Sequence, residues 1–153
     1  MTLPRTAAGW TIAVFGLLAI ALGGVGLIRP EATLALVGFE VLDPAARSAG
    51  DHTRTFVVSS SMAAVNMGVY YLVAAASDWR IFYRFTVYFR ILTFIIFTTL
   101  VINGTAGGRF IGIALWELAG AVATAIARGY DRRHPVTGRS GAVTAPVDPA
   151  TIR

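Results

Sequence analysis

The chain has no cysteine and no lysine, and only two histidines. Without cysteine there are no disulfides, thiolate metal sites, iron–sulfur ligands or cysteine nucleophiles. His52 and His134 are too few and too widely separated to suggest a metal site by themselves. Catalytic signatures are also missing: the sequence holds no P-loop, no dinucleotide fingerprint, no HExxH and no G-x-S-x-G. Nothing in it asks for a cofactor. Charge is scarce, at 14% of 153 residues, whereas 56% are hydrophobic. The mean hydropathy is +0.67. A soluble domain of this length needs more polar surface, so the composition points to a membrane protein.

What charge there is has one dominant form. All 13 basic residues are arginine, and the net charge is +5. A nucleic-acid surface would interleave them with exposed aromatics on one face. Here they sit at the ends of apolar runs and in the C-terminal tail, where membrane topology explains them better. No nucleic-acid partner is expected.

Four apolar runs cover residues 8–28, 56–76, 81–102 and 110–126. Each approaches the ~20 residues that a helix needs to cross ~30 Å of hydrocarbon. A spanning segment must bond its own backbone, so these runs are predicted to be helices. Arg5 precedes the first run, as in a signal peptide. That run is too long for a typical signal core and no clear A-x-A site follows it, so it is expected to stay in place. If all four runs span, Arg5, Arg80, Arg84, Arg128, Arg132, Arg133, Arg139 and Arg153 fall on one side. Arg29, Arg47, Arg54 and Arg109 fall on the other. The excess places both termini in the cytoplasm and the chain in the cytoplasmic (inner) membrane as a multi-pass protein. The expected partner throughout is the lipid bilayer.

The connections are unequal. "SDWR" (77–80) and the Gly-rich "NGTAGGR" (103–109) are short turns. The one long loop, 29–55, is extracytoplasmic on this orientation. Within it, "RPEATLALVGF" suits a short helix with Pro30 in its first turn. Asp43 before Pro44 reads as a capping pair. The segment either caps the bundle from outside or is a poorly ordered loop. The tail from Gly129 is polar and rich in Gly and Pro, and is predicted to be a disordered cytoplasmic tail. Its "DRRH" either touches anionic headgroups or only fixes topology.

One arginine breaks the pattern. Arg90 lies inside "RFTVYFRILTFIIF" (84–97), nine residues past Ile81 and so ~13–14 Å from the inner boundary. A charge at that depth needs protein, water or a partner. Glu117 is the one acidic residue inside a run, and its depth differs from that of Arg90 by only ~6 Å. The third and fourth runs are joined by a short turn, so an Arg90–Glu117 ion pair is predicted. Asn66 lies at a similar depth in the second run. Ser59, Ala63, Asn66 and Tyr70 share one helical face, as do Tyr83, Thr86, Arg90, Thr93 and Phe97, and Ile113, Glu117, Gly120 and Thr124. These three faces are expected to turn a polar stripe inward, centred on Arg90, Glu117, Asn66, Thr93 and Ser59. Gly16, Ala19, Gly23 and Gly26 mark the first run for close helix contact. Asp51, His52 and Arg54 form either an outer entrance to the stripe or a solvated helix start.

The whole pattern resembles small bacterial four-helix membrane proteins of the loose DoxX-like and BphX-like grouping. The residues that carry the likeness are "DPAARSAGDHTRT", "NMGVYYLVAA", "FRILTF" and "WELAGA", over roughly residues 9–128. The resemblance implies a compact four-helix bundle. Some DoxX-like relatives are associated with redox complexes, but no catalytic residue carries over to this chain.

The expected fold class is therefore all-α: a four-transmembrane-helix bundle. The leading functional expectation is a non-catalytic accessory or interaction subunit, with a membrane-protein partner or a second copy of itself. The alternative is a binding or transport module for a small lipophilic or anionic ligand, such as a quinone-like molecule. A membrane enzyme with Glu117 as acid or base comes third. The Arg90–Glu117 pair itself is either structural, serving register, or functional.

Overall fold

The computed structural model describes residues 3–134. The helices are α1 (Ala7–Ile28), α2 (Pro30–Leu36), α3 (Thr53–Ala76), α4 (Arg80–Ile102) and α5 (Ile111–Arg133). Short 3₁₀ turns occupy Pro44–Ala46 and Gly108–Phe110. There is no strand among the described residues. Helices α1, α3, α4 and α5 are long and apolar enough to cross a membrane. Residues 135–153, most of the predicted tail, lie outside the described residues.

The distribution of side chains is inverted relative to a soluble protein. Large apolar residues such as Leu17, Leu22, Phe85, Ile95 and Ile126 face outward. The interior holds small and polar residues, among them Ala8, Ala13, Ala74, Ala114, Ala121, Ser61, Thr86 and Thr124. Such a surface suits hydrocarbon or another protein rather than water. With four candidate spans, it makes this a multi-pass membrane protein.

Two helix pairs build the bundle. Helix α1 lies along α3, α4 lies along α5, and α1 joins the pairs by packing on α5. The α1–α3 approach depends on missing side chains. A Cβ on Gly68 would lie 2.6 Å from the Gly16 carbonyl oxygen and 2.6 Å from Ile20. One on Gly23 would lie 2.7 Å from the Ser61 carbonyl oxygen. Of the predicted contact residues, Gly16, Gly23 and Gly26 are buried and Ala19 is half-buried.

The turns use left-handed residues to end helices. Asp78 has φ +47°. It lets the Trp79 amide bond back to the Ala74 carbonyl at 3.0 Å, closing α3 with a Schellman-type cap. Gly38, at φ +86°, does the same for α2, where the Phe39 amide reaches the Leu34 carbonyl at 2.9 Å. Beyond that cap, Phe39 stands near Phe110, which in turn meets Phe97 of α4 with ring centroids 5.0 Å apart.

Helix α5 runs to Arg133, past the predicted end at residue 126. Residues 129–133, expected in the tail, are therefore helical. The cause is a long-range cap. Asp131 accepts the amides of Ala7 and Ala8, each at 2.9 Å, through its two carboxylate oxygens. Thr6 accepts the Gly9 amide at 3.0 Å. The amides at the start of α1, which have no intrahelical partner, are thus satisfied by a side chain from the last turn of α5.

A valine at Gly68 is expected to lower stability in detergent by ~1–3 kcal/mol through overpacking. Gly24→Val, where a Cβ meets nothing within 4 Å, serves as the control. Equal unfolding midpoints for the two variants would contradict the close α1–α3 approach.

Candidate functional site: a buried guanidinium between four helices

Arg90 is 5% exposed. Its Nε lies 3.9 Å from Oε2 of Glu117 on α5, an ion-pair distance too long for a hydrogen bond. Its Cζ lies 4.0 Å from the ring centroid of Phe15 on α1. The ring of Tyr71 on α3 is 5.2 Å away. Both distances are within cation–π range. Gly120, one turn on from Glu117, has no side chain, and a Cβ there would run into Nη1 of Arg90. One guanidinium on α4 therefore touches α1, α3 and α5 together. Nε and Nη1 are buried with no hydrogen-bond partner.

The surrounding residues hold this group in place. Phe15 is braced edge-on by Trp116, with centroids 4.9 Å apart. The Tyr71 hydroxyl and the Thr86 hydroxyl are 3.1 Å apart, linking α3 to α4. Further toward the Asp131 end, the Thr11 and Thr124 hydroxyls are also 3.1 Å apart. Thr11 donates its proton to the Ala8 carbonyl, so Thr124 is the donor in that pair. Tyr83, 2% exposed, donates to the Ala74 carbonyl at 3.2 Å. These hydroxyls satisfy polar groups between helices where water is scarce.

The predicted stripe divides. On α4, Tyr83, Thr86 and Arg90 are buried, whereas Thr93 is half-buried and bonds back to the Phe89 carbonyl of its own helix at 2.9 Å. On α5, Gly120 and Thr124 are buried and Glu117 is partly so. The α3 face is a correction. Ser59, Ala63, Asn66 and Tyr70 are all exposed. Helix α3 turns Ser61, Val65, Gly68 and Leu72 toward α1, because the glycines of α1 admit those positions. Asn66 and Ser59 then lie on the opposite side of a 3.6-residue helix. Asn66 is not part of the Arg90 cluster.

Sequence reasoning missed Phe15 and Tyr71. Neither carries charge, and a buried guanidinium points first to a carboxylate. Their signal was aromatic: an Arg in an apolar run calls for ring faces as well as carboxylates.

At the opposite end from Asp131, Asp51, His52 and Arg54 belong to the start of α3. Asp51 accepts the Thr53 amide at 2.9 Å and pairs with Arg47 at 3.7 Å. The Thr53 hydroxyl, then its amide, hold the Asp51 carboxyl below its ordinary range. This hold on the α3 start is complete above the ordinary carboxyl pKa and is lost as pH falls through the lowered value. Arg54 lies 3.8 Å from Glu31 of α2, and His52 is exposed. These contacts tie α2 and the segment after it to the start of α3.

Removing either charge alone is expected to cost up to ~3–5 kcal/mol, because the other is stranded. Arg90→Met or Glu117→Leu should each lower the unfolding midpoint. The double variant should recover more than half of the loss. A double variant no better than the worse single one would refute the ion-pair account.

No family model matches this chain, and no curated protein or solved structure matches it.

Proposed function

We propose that this is a small cytoplasmic-membrane protein of the DoxX-like kind, with both termini cytoplasmic, acting as a non-catalytic accessory subunit of a larger membrane assembly. The observation that carries this reading is Asn66. It sits near the middle of α3, exposed, on the side opposite the α1 interface. An amide at that depth is disfavoured in hydrocarbon without a polar partner. A helix of another subunit carrying a polar side chain removes that penalty. Ser59 and Ala63, one turn apart on the same face, are small enough for close approach. The interior supports a non-catalytic role, because the guanidinium is packed over the Phe15 ring, near the Tyr71 ring, in the space Gly120 leaves.

A second reading follows from the two buried Arg90 nitrogens without partners. They are donors suited to the carbonyl or carboxylate of a small lipophilic or anionic ligand. On that reading Glu117→Gln keeps the fold but changes which small molecule stays bound after gentle extraction. The accessory reading expects no change.

The absence of cysteine makes single-cysteine probes clean. A photo-crosslinker attached through Ala63→Cys is expected to give one discrete adduct in native membranes. The same probe at Tyr88, exposed on α4, should not. Adding Asn66→Leu should reduce the Ala63 adduct about threefold or more, as befits a membrane polar contact of ~0.6 kcal/mol. An adduct insensitive to Asn66→Leu would defeat the proposal, and an adduct of twice the chain mass would make the partner a second copy. For orientation, Thr105→Cys should react with an impermeant maleimide in intact cells and His134→Cys should not. The reverse pattern would invert the topology.

A further inference from the structure

A second cluster of charge lies at the Asp131 end of the bundle. A cleft of about 310 Å³ opens between the start of α1, the start of α4 and the last turns of α5. Arg80 and Arg84 of α4 and Arg128 and Arg132 of α5 line it, with Tyr83 and Asp131. Each helix contributes two arginines four residues apart. Like charges at that spacing repel, and here two such pairs converge. Arg128 feels the charges of both Arg84 and Arg132.

Little on the protein offsets this. Arg80 has Asp78 at 3.1 Å. Among the described residues, no carboxylate is within ion-pair distance of Arg84, Arg128 or Arg132. Both oxygens of Asp131 already accept the α1 amides. Topology needs arginines near helix ends, not arginines gathered on one cleft. Arg5 and Arg133 meet the topological need without lining it.

We infer that this cleft binds the phosphate of an anionic phospholipid headgroup, with Arg84 and Arg128 as the principal contacts. Guanidinium groups suit phosphate oxygens through paired donors. Arg84 and Arg128 lie about one turn inside the helix ends, ~6 Å along the axis, at the depth of a headgroup. Ile81 on the cleft wall is 68% exposed, and Phe85 of the same helix is 53% exposed. Acyl chains cover such side chains, whereas free phosphate leaves them bare. The lipid also ties α5 to α4 where Asp131 ties α5 to α1. This inference is independent of the α3 face.

The test uses the full chain in neutral detergent, following the unfolding midpoint with added phosphatidylglycerol, phosphatidylcholine or inorganic phosphate. Phosphatidylglycerol is expected to raise the midpoint, and the other two are not. Each arginine lost should weaken phosphatidylglycerol binding about fivefold, so Arg84→Gln/Arg128→Gln weakens it about 25-fold. The charge-matched Arg5→Gln/Arg133→Gln variant should respond like the unaltered chain. If the first variant does not fold, Arg84→Gln/Arg132→Gln removes two exposed side chains and should show the same loss. Equal stabilisation by inorganic phosphate would overturn the lipid source. An equal response to both lipids, or equal losses in the cleft and control variants, would overturn the site.

Discussion

The bundle depends on where one positive charge can rest. Arg90 sits deep in α4, and a guanidinium at that depth has few tolerable surroundings. It finds a carboxylate on α5 and ring faces on α1 and α3. Each of the four spans therefore contributes to one small neighbourhood. The charge is not a large net source of stability, since desolvation offsets most of the attraction. Its effect is to penalise other arrangements. A bundle that rotated α1 or slid α5 by a turn would strand Arg90.

Other features follow from that demand. Gly120 lacks a side chain where the guanidinium lies, and a Cβ there would also fall 2.9 Å from Phe15. The glycines of α1 bring α3 close, which sets the Tyr71 ring 5.2 Å from the Arg90 guanidinium. The same close approach fixes which face of α3 is hidden. Asn66 is left outside as a consequence, on the face that the proposed partner would cover. A polar centre inside and a polar residue outside thus arise from a single helix rotation.

Much of this was legible in the sequence, and the gaps have physical reasons. The number of long apolar helices, and the bounds of α1, α3 and α4 to within three residues, came from apolar run length, because hydrocarbon thickness imposes a ruler. The Arg90–Glu117 proximity came from depth and a short connection between two runs. The rotation of α3 did not, because both of its faces offer small and polar residues: Ser61 and Gly68 on one, Ser59 and Asn66 on the other. Only the glycines of α1 decide between them, through contacts far apart in sequence. The α5 extension was hidden for a similar reason. Gly129 and the charged residues after it look like a tail until Asp131 is seen against the start of α1.

The most direct test of the central claim observes Arg90 itself. In isotope-labelled protein in lipid nanodiscs, the arginine Nε–H signals can be resolved and Arg90 assigned by its loss in Arg90→Lys. Packed over the Phe15 ring, its Nε–H should be shifted by ring currents and exchange with water far more slowly than the other arginines. Phe15→Leu should remove the shift while slow exchange persists. An Arg90 signal that exchanges as fast as the rest, with no ring-current shift, would contradict the account.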